Sequence, residues 1–294
     1  MKLKNFLLIT SLFTLASCVS TPKTLELDYV YDYSLVDFSS LYEVPKELTK
    51  ITKPSKDYSL DVKSQACNQA FREKTVTTKA TFNTCLKAAK NGDPELEFKV
   101  SEMYFYGDGV KKNLQESYKW CLKAARSSNI IAMSKLGEKY LKGQGTKVNN
   151  EKAIFWLKKA AKERSLESIM ALGKLTYKGE GGVTKSAGEA FKWYLYAATE
   201  GLPSAQVEVA KMLFNGIGVK EDKREALSWL QVSLSCEPDN EKSKKLKEQF
   251  LLKITANDIA LSKIAANDIA LSKIAAKELT NRFGCSKSLQ FEIY

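Results

Sequence analysis

The sequence predicts an all-α protein built as a solenoid of two-helix repeats, and three periodic columns of residues support this prediction. Tryptophans and loop glycines both recur about every 36 residues, and apolar residues recur with the same period. A repeat of this length holds two helices, which bury their apolar faces only by stacking on neighbouring copies. The columns are Trp120, Trp156, Trp193 and Trp229; Gly107, Gly143, Gly179 and Gly216; and Val100, Leu136, Leu172 and Val209.

Each repeat carries its own helix boundaries. The first helix is predicted to end in a Gly-x-Gly loop, because glycine readily adopts the left-handed conformation that closes a helix. These loops are Gly107/Gly109, Gly143/Gly145, Gly179/Gly181 and Gly216/Gly218. The second helix is predicted to start at a good N-cap residue in each copy, namely Asn113, Asn149, Ser186 and Asp222. Four uniform repeats, with no polar cluster that departs from the pattern, are therefore expected over residues 94–235.

Both ends of the repeat array are predicted to be capped. Residues 59–93 keep the end of a second helix, Thr84 to Ala89, but lack the glycines and the tryptophan, as is common for a degenerate terminal repeat. Residues 236–294 are predicted to form a C-terminal helical cap. In this cap a decapeptide that starts at Ile254 is duplicated from Ile264. Ten residues do not match the helical period, so the duplication is assigned no function.

The N-terminus resembles a bacterial lipoprotein signal. Lys2 and Lys4 precede a short apolar run that ends in the tetrad 15–18, Leu-Ala-Ser-Cys. The alternative, a transmembrane anchor, needs about 20 apolar residues, and this run is shorter. The resemblance implies that residues 1–17 are removed and that Cys18 is acylated. Because Val19 follows, it also implies an outer-membrane lipoprotein facing the periplasm, with residues 18–58 as a lipidated tether or extended arm.

Composition narrows the possible chemistry. The chain has 294 residues, a formal net charge of +12 and no histidine. Without histidine, the chain cannot form a Ser-His-Asp or Cys-His catalytic arrangement or a histidine metal site, and no metal or cofactor is expected. In the periplasm the positive charge favours an acidic protein or lipid phosphates as partner rather than nucleic acid, and a merely solvated basic surface is the alternative.

The remaining five cysteines lie in a compartment where disulfides persist. Cys67 and Cys85 are placed symmetrically about a predicted helix reversal, so a bond between them is expected. Cys236 and Cys285 flank the terminal cap and form the second expected pair. Cys121 would then be a buried free thiol.

The repeats resemble the Sel-one-like family, relatives of the tetratricopeptide repeats. The stretches 140–145, Tyr-Leu-Lys-Gly-Gln-Gly, and 153–161, Ala-Ile-Phe-Trp-Leu-Lys-Lys-Ala-Ala, match its two diagnostic segments. The resemblance implies a right-handed superhelix that binds proteins and, in most members, has no catalytic activity. Some cysteine-rich relatives are described as weak β-lactamases, which need a Ser-x-x-Lys on a buried helix. The one such motif here, Ser20 to Lys23, is interrupted by a proline, so no catalytic residue is predicted.

Candidate binding residues come from the polar columns of the first helices, which line the inner curve in such solenoids. One column reads Glu102, Glu138, Lys174 and Lys211, and the next turn reads Tyr106, Lys142, Lys178 and Asn215. We expect Lys142, Lys174, Lys178 and Lys211 to bind an acidic segment of an envelope or secreted protein, for example a toxin or a secretion machine. A β-lactamase-like enzyme and a structural protein that contacts peptidoglycan are the alternatives.

Overall fold

The computed structural model describes residues 62–73 and 78–257, and within these ranges the secondary structure is entirely helical. The helices are α1 (Val62–Arg72), α2 (Lys79–Ala89), α3 (Pro94–Tyr106), α4 (Leu114–Arg126), α5 (Ile130–Lys142), α6 (Asn150–Lys162), α7 (Leu166–Lys178), α8 (Ala187–Thr199), α9 (Pro203–Asn215), α10 (Lys223–Cys236) and α11 (Glu241–Asn257).

Each helix packs mainly on the helices before and after it in the chain, which is the contact pattern of an α-solenoid. Four two-helix units follow one another: α3 with α4, α5 with α6, α7 with α8, and α9 with α10. The pair α1 and α2 precedes them, and α11 packs on α10. The predicted all-α solenoid of two-helix repeats is therefore confirmed.

The helix ends form where the sequence predicts them. All four first helices end at a left-handed glycine, with φ of 93° at Gly107, 67° at Gly143, 73° at Gly179 and 62° at Gly216. The second helices begin at N-caps whose side chains accept backbone N–H bonds, namely Asn113, Asn149, Ser186 and Asp222. These caps satisfy backbone donors that the first turn of each helix leaves unpaired.

The second loop glycine serves a different purpose, which is close contact with the preceding repeat. A Cβ at Gly145 would lie 1.9 Å from the carbonyl oxygen of Leu114, and one at Gly218 would lie 2.3 Å from the carbonyl carbon of Ala187. Both neighbours are the first residues of second helices. In the third repeat Gly182, rather than the predicted Gly181, takes this position, because its nearest neighbour is the Asn150 side chain that begins α6.

The core lies along the repeat array rather than at one centre. Trp156, Trp193 and Trp229 are buried, whereas Trp120 is half-buried under the Lys123 ammonium, which lies 5.0 Å from its ring centre. Alanine pairs that follow the tryptophans, Ala124 with Ala125, Ala160 with Ala161 and Ala197 with Ala198, are fully buried. Their small side chains let adjacent helices approach closely.

A disulfide joins Cys67 of α1 to Cys85 of α2, with their Cα atoms 4.9 Å apart, and Cys121 is a buried free thiol. Cys236 is also disulfide-bonded. Its predicted partner Cys285 lies outside the described residues, as do Cys18, the tether and most of the decapeptide duplication. Among the described helices, none is both long and apolar enough to cross a membrane.

Candidate interaction site on the first helices

The four predicted lysines lie on the first helices of three repeats. Lys142 ends α5, Lys174 and Lys178 lie on α7, and Lys211 lies on α9. The first three are exposed and Lys211 is half-exposed. We call the exposed side of α3, α5, α7 and α9 the first-helix face.

Three of these lysines already pair with a nearby carboxylate. The Nζ–Oε distances are 3.3 Å from Lys142 to Glu138, 3.4 Å from Lys178 to Glu180 and 2.7 Å from Lys211 to Glu208. Lys174 has no ion pair within the described part of the chain. Exposed pairs of this kind contribute about 0–1 kcal/mol each, so a partner can displace them at little cost.

A pocket of about 230 Å³ opens on the first-helix face between α3 and α5. We call it the α3–α5 pocket. Its lining comprises Phe98, Ser101, Glu102, Phe105, Tyr106, Lys135, Glu138, Lys139, Lys142 and Gln144. Of the four predicted lysines only Lys142 lines it, so the structure does not gather the other three into this pocket.

Lys139 is the main feature of the pocket that sequence reasoning missed. The same repeat column holds Met103, Leu175 and Met212, which are all buried. Lys139 is only 5 % exposed, although it carries an ammonium group. The prediction of uniform repeats without a polar cluster is therefore wrong at this position, and reading down this column would have revealed the exception.

The Lys139 ammonium is held by one hydroxyl and one aromatic ring. Its Nζ donates to Ser117 Oγ at 2.9 Å and lies 4.4 Å from the ring centre of Phe105. Ser101 Oγ donates to the Ser117 carbonyl oxygen at 2.8 Å and lies 3.3 Å from Ser117 Oγ. Burial lowers the pKa of Lys139, because removal from water disfavours the charged form.

A serine next to a lysine of lowered pKa occurs in some hydrolases, so its access to substrate matters here. Ser117 is fully buried in α4 and does not line the pocket. Cys121 is fully buried as well, and burial raises the pKa of its thiol to about 12. Neither group presents a reactive nucleophile to the pocket.

Glu102 is the second unusual charge. Burial raises the pKa of its carboxyl group, and among the described residues it has no hydrogen bond or ion pair. The neighbouring Glu138, by contrast, pairs with Lys135 at 3.6 Å and with Lys142 at 3.3 Å. Lys135 also pairs with Glu167 of the next repeat. The pocket therefore contains one carboxylate and one ammonium that lack an oppositely charged partner.

Aromatic rings supply the apolar part of the lining. Phe105 and Tyr106 meet edge to face, with ring centres 5.0 Å apart, and Phe98 lies on the same helix. Tyr106 is 61 % exposed, which is high for a large aromatic residue. Tyrosine exposed beside a pocket is typical of protein-binding surfaces, where it contributes contact area at low entropic cost. Within the described ranges no cluster of side chains could hold a metal ion.

Stacked two-helix units define an α-solenoid repeat protein. Comparison with family models identifies the repeats: residues 94–129, 130–165, 166–202 and 203–235 each match the Sel1 repeat. The chain therefore carries four Sel1 repeats, as the resemblance predicted. Sel1 repeats generally mediate protein–protein interactions, and proteins built from them are typically non-enzymatic.

Solved structures share the fold. A Sel1 repeat protein from Oxalobacter formigenes is 24% identical, with a TM-score of 0.61 over 75% of this chain and 91% of that one. A protective antigen of uropathogenic Escherichia coli with an SLR fold is 22% identical, with a TM-score of 0.57 over 69% of this chain. The matched part spans only 41% of that antigen.

An immunity protein from Pseudomonas aeruginosa is more distant, at 17% identity and a TM-score of 0.40 over 78% of this chain and 87% of that one. No protein with curated function matches the sequence significantly.

Proposed function

We propose that this chain is a non-enzymatic scaffold that binds another protein on its first-helix face. The α3–α5 pocket is the observation that carries the proposal, because it combines an exposed aromatic rim with two charged groups that form no ion pair within the described residues. Tyr106 is largely exposed, and Glu102 and Lys139 retain unused hydrogen-bonding capacity. A pocket with an apolar lining and a few polar groups is the usual anchor point of a binding surface.

The lysines extend this surface beyond the pocket. We propose that an acidic segment of the partner lies along Lys142, Lys174, Lys178 and Lys211. Their present carboxylate contacts are local, within three or four residues or in the following loop, so each can be exchanged for a partner carboxylate. A set of such contacts steers and orients a partner more than it strengthens binding.

A lipid on Cys18 would place this scaffold at the membrane. We propose that the mature chain begins at Cys18 as a triacylated outer-membrane lipoprotein that faces the periplasm, on the basis of the signal-like residues 1–17. Its partner would then be an envelope or secreted protein, such as a toxin or part of a secretion machine. Labelling with radioactive palmitate should mark the chain, and Cys18→Ala should remove the label. A variant that keeps its label would contradict this placement.

Two other functions are less well supported. A β-lactamase-like enzyme would need an accessible nucleophile, and the Ser117–Lys139 contact is buried in the repeat core. Turnover of a chromogenic β-lactam above that of denatured protein would favour the enzyme. A structural protein would bind isolated sacculi in preference to periplasmic proteins, so a sedimentation assay with sacculi separates that function from protein binding.

Affinity capture with a charge-matched control tests the protein-binding proposal. The full chain in detergent captures proteins from envelope extract, and mass spectrometry quantifies them. Changing the four predicted lysines to glutamate should abolish capture of the main partner while the helical spectrum is unchanged. The control changes four second-helix lysines to glutamate, namely Lys119, Lys152, Lys162 and Lys192, and should preserve capture. Equal capture by both variants would show that the first-helix face is not the binding surface.

A further inference from the structure

We propose that the α3–α5 pocket holds the side-chain carboxamide of an asparagine or glutamine of the bound partner, an inference that rests on the proposed protein-binding function. The amide N–H group would donate to Glu102 and the amide oxygen would accept from Lys139. The pocket is thereby a specificity site beside the lysines that receive the acidic part of the partner.

The charge inventory of the pocket leads to this ligand class. Lys135 and Lys142 pair with the two carboxylates of Glu138 and Glu167, so these four charges neutralise one another. Glu102 and Lys139 are left as one acceptor and one donor on the same lining. Within the described residues they do not form an ion pair, although each is close enough to influence the ionisation of the other.

A group that satisfies both must offer a donor and an acceptor and carry no net charge. A carboxamide has two N–H donors and one carbonyl acceptor on the two atoms bonded to a single carbon. A partner carboxylate could accept a hydrogen bond from Lys139 but would be repelled by Glu102 and Glu138. A partner ammonium could donate to Glu102 but would be repelled by the three lysines of the lining, Lys135, Lys139 and Lys142. Like charges in a partly buried site are unfavourable, so the neutral dipolar group fits best.

Burial strengthens this preference. The pKa of Glu102 is raised and that of Lys139 is lowered, both because of desolvation. Partly desolvated polar groups gain most from a partner that makes every hydrogen bond, and lose most from one that cannot. The Lys139 ammonium donates to Ser117 Oγ but has three N–H donors, so capacity for a ligand remains.

The size of the pocket limits the occupant to a side chain. A volume of about 230 Å³ is smaller than the roughly 300–1,000 Å³ of ordinary small-molecule sites. The methylene groups of glutamine can lie against Phe98 and Phe105, while the partner backbone passes Tyr106 at the rim. An anchor of this kind recognises one residue within a longer segment.

Four blocked amino acids test the proposal on the full chain in detergent. The probes are the N-acetyl methylamides of glutamine, glutamate, lysine and leucine, which share one backbone and differ in the side chain. Titration of the ¹⁵N-labelled protein reports binding through the amide shifts of α3 and α5. The glutamine probe should bind at least ~10-fold more tightly than the other three, because a site built for hydrogen bonds rejects analogues that leave its groups unpaired.

Three variants identify the groups responsible. Lys139→Met fits the repeat column, which contains Met103 and Met212, so it should fold and should lose the preference for the glutamine probe. Glu102→Gln should also lose it. Lys119→Met, on the second helix α4 and outside the pocket, should retain it. Denaturation curves confirm that each variant is folded.

The outcomes separate this inference from the proposed function. Preference for the glutamate probe would show a plain anion site, and preference for the lysine probe would show a cation site. Equal binding of all four probes, or a preference that survives Lys139→Met, would also overturn the inference. If partner capture is nevertheless lost on reversal of the four lysines, the scaffold function stands without the pocket. If capture is unaffected by that reversal, the proposed function fails first.

Discussion

The contact between repeats can be tested by comparing two loop glycines that share a left-handed φ but have different surroundings. Gly145 and Gly182 have φ of 77° and 78°, so replacing either with alanine causes comparable strain in this dihedral angle, about 1–2 kcal/mol. A Cβ at Gly182 would lie 3.4 Å from the Asn150 side chain, which is an ordinary contact. A Cβ at Gly145 would lie 1.9 Å from the Leu114 carbonyl oxygen.

The difference in stability between the two variants therefore measures the cost of the steric overlap at Gly145. No rotamer change can relieve an overlap with a backbone oxygen, so α4 and α5 must move apart by more than 1 Å. Such overpacking typically costs about 1–3 kcal/mol and occasionally more. We expect Gly182→Ala to lose about 1–2 kcal/mol and Gly145→Ala to lose about 2–5 kcal/mol.

Urea and thermal unfolding followed by circular dichroism provide the measurement. A difference of about 2 kcal/mol corresponds to a melting temperature lower by roughly 4–8 °C for a chain of this size. Equal losses for Gly145→Ala and Gly182→Ala would refute the close approach of the Gly145 loop to the start of α4. A larger loss of stability for Gly182→Ala would show that the tight contact lies at the third repeat and not at the second.

Three further predictions concern the disulfide and two buried charges. Replacing Cys67 and Cys85 with alanine should cost about 3 kcal/mol for a separation of 18 residues, and an unchanged urea midpoint would contradict this. Because the pKa of Lys139 is lowered, stability should rise with pH up to the unfolded pKa near 10.4, and Lys139→Met should lack that rise. Burial raises the pKa of Glu225 to about 7, so stability should fall by up to ~3 kcal/mol between about pH 4 and 7, and Glu225→Gln should remove this dependence.

Helix boundaries could be predicted from sequence because the signals are local. Capping by Asn113 or Asp222 and helix closure at Gly107 depend on one residue and the backbone beside it, so the sequence suffices. The repeat period then determines which helices stack. These two sources of information account for the number, length and order of the helices from α3 to α10.

The pocket could not be predicted in the same way, because it depends on residues from different repeats. We predicted that Lys142 binds a partner together with lysines of α7 and α9. In the structure its ion pair is with Glu138 on its own helix. Lys139 was not singled out from the sequence, although its column is buried in every other repeat. Only the packing of α3 and α4 against α5 shows that its ammonium reaches Ser117 and Phe105.

The extra residue in the third loop illustrates a related limit. Sequence alignment places Gly181 as the second loop glycine by its distance from Gly179. In the structure Gly182, not Gly181, lies against the first residue of α6. The contact depends on which loop residue faces the neighbouring repeat and not on the distance from Gly179. A single insertion therefore shifts the contact by one residue without changing the helices on either side.

Site-specific photo-crosslinking tests most directly whether the first-helix face binds a protein. A photoreactive amino acid replaces Tyr106 or Lys178 on this face, or Lys119 or Lys192 on second helices as controls, in the full chain in intact cells. Tyr106, Lys178 and Lys119 are exposed and Lys192 is half-exposed, so all four positions can reach a bound protein. We predict that a discrete adduct forms from Tyr106 and Lys178 and is absent from Lys119 and Lys192. Adducts of equal yield from the second helices, or none from the first, would contradict the proposed scaffold function of this face.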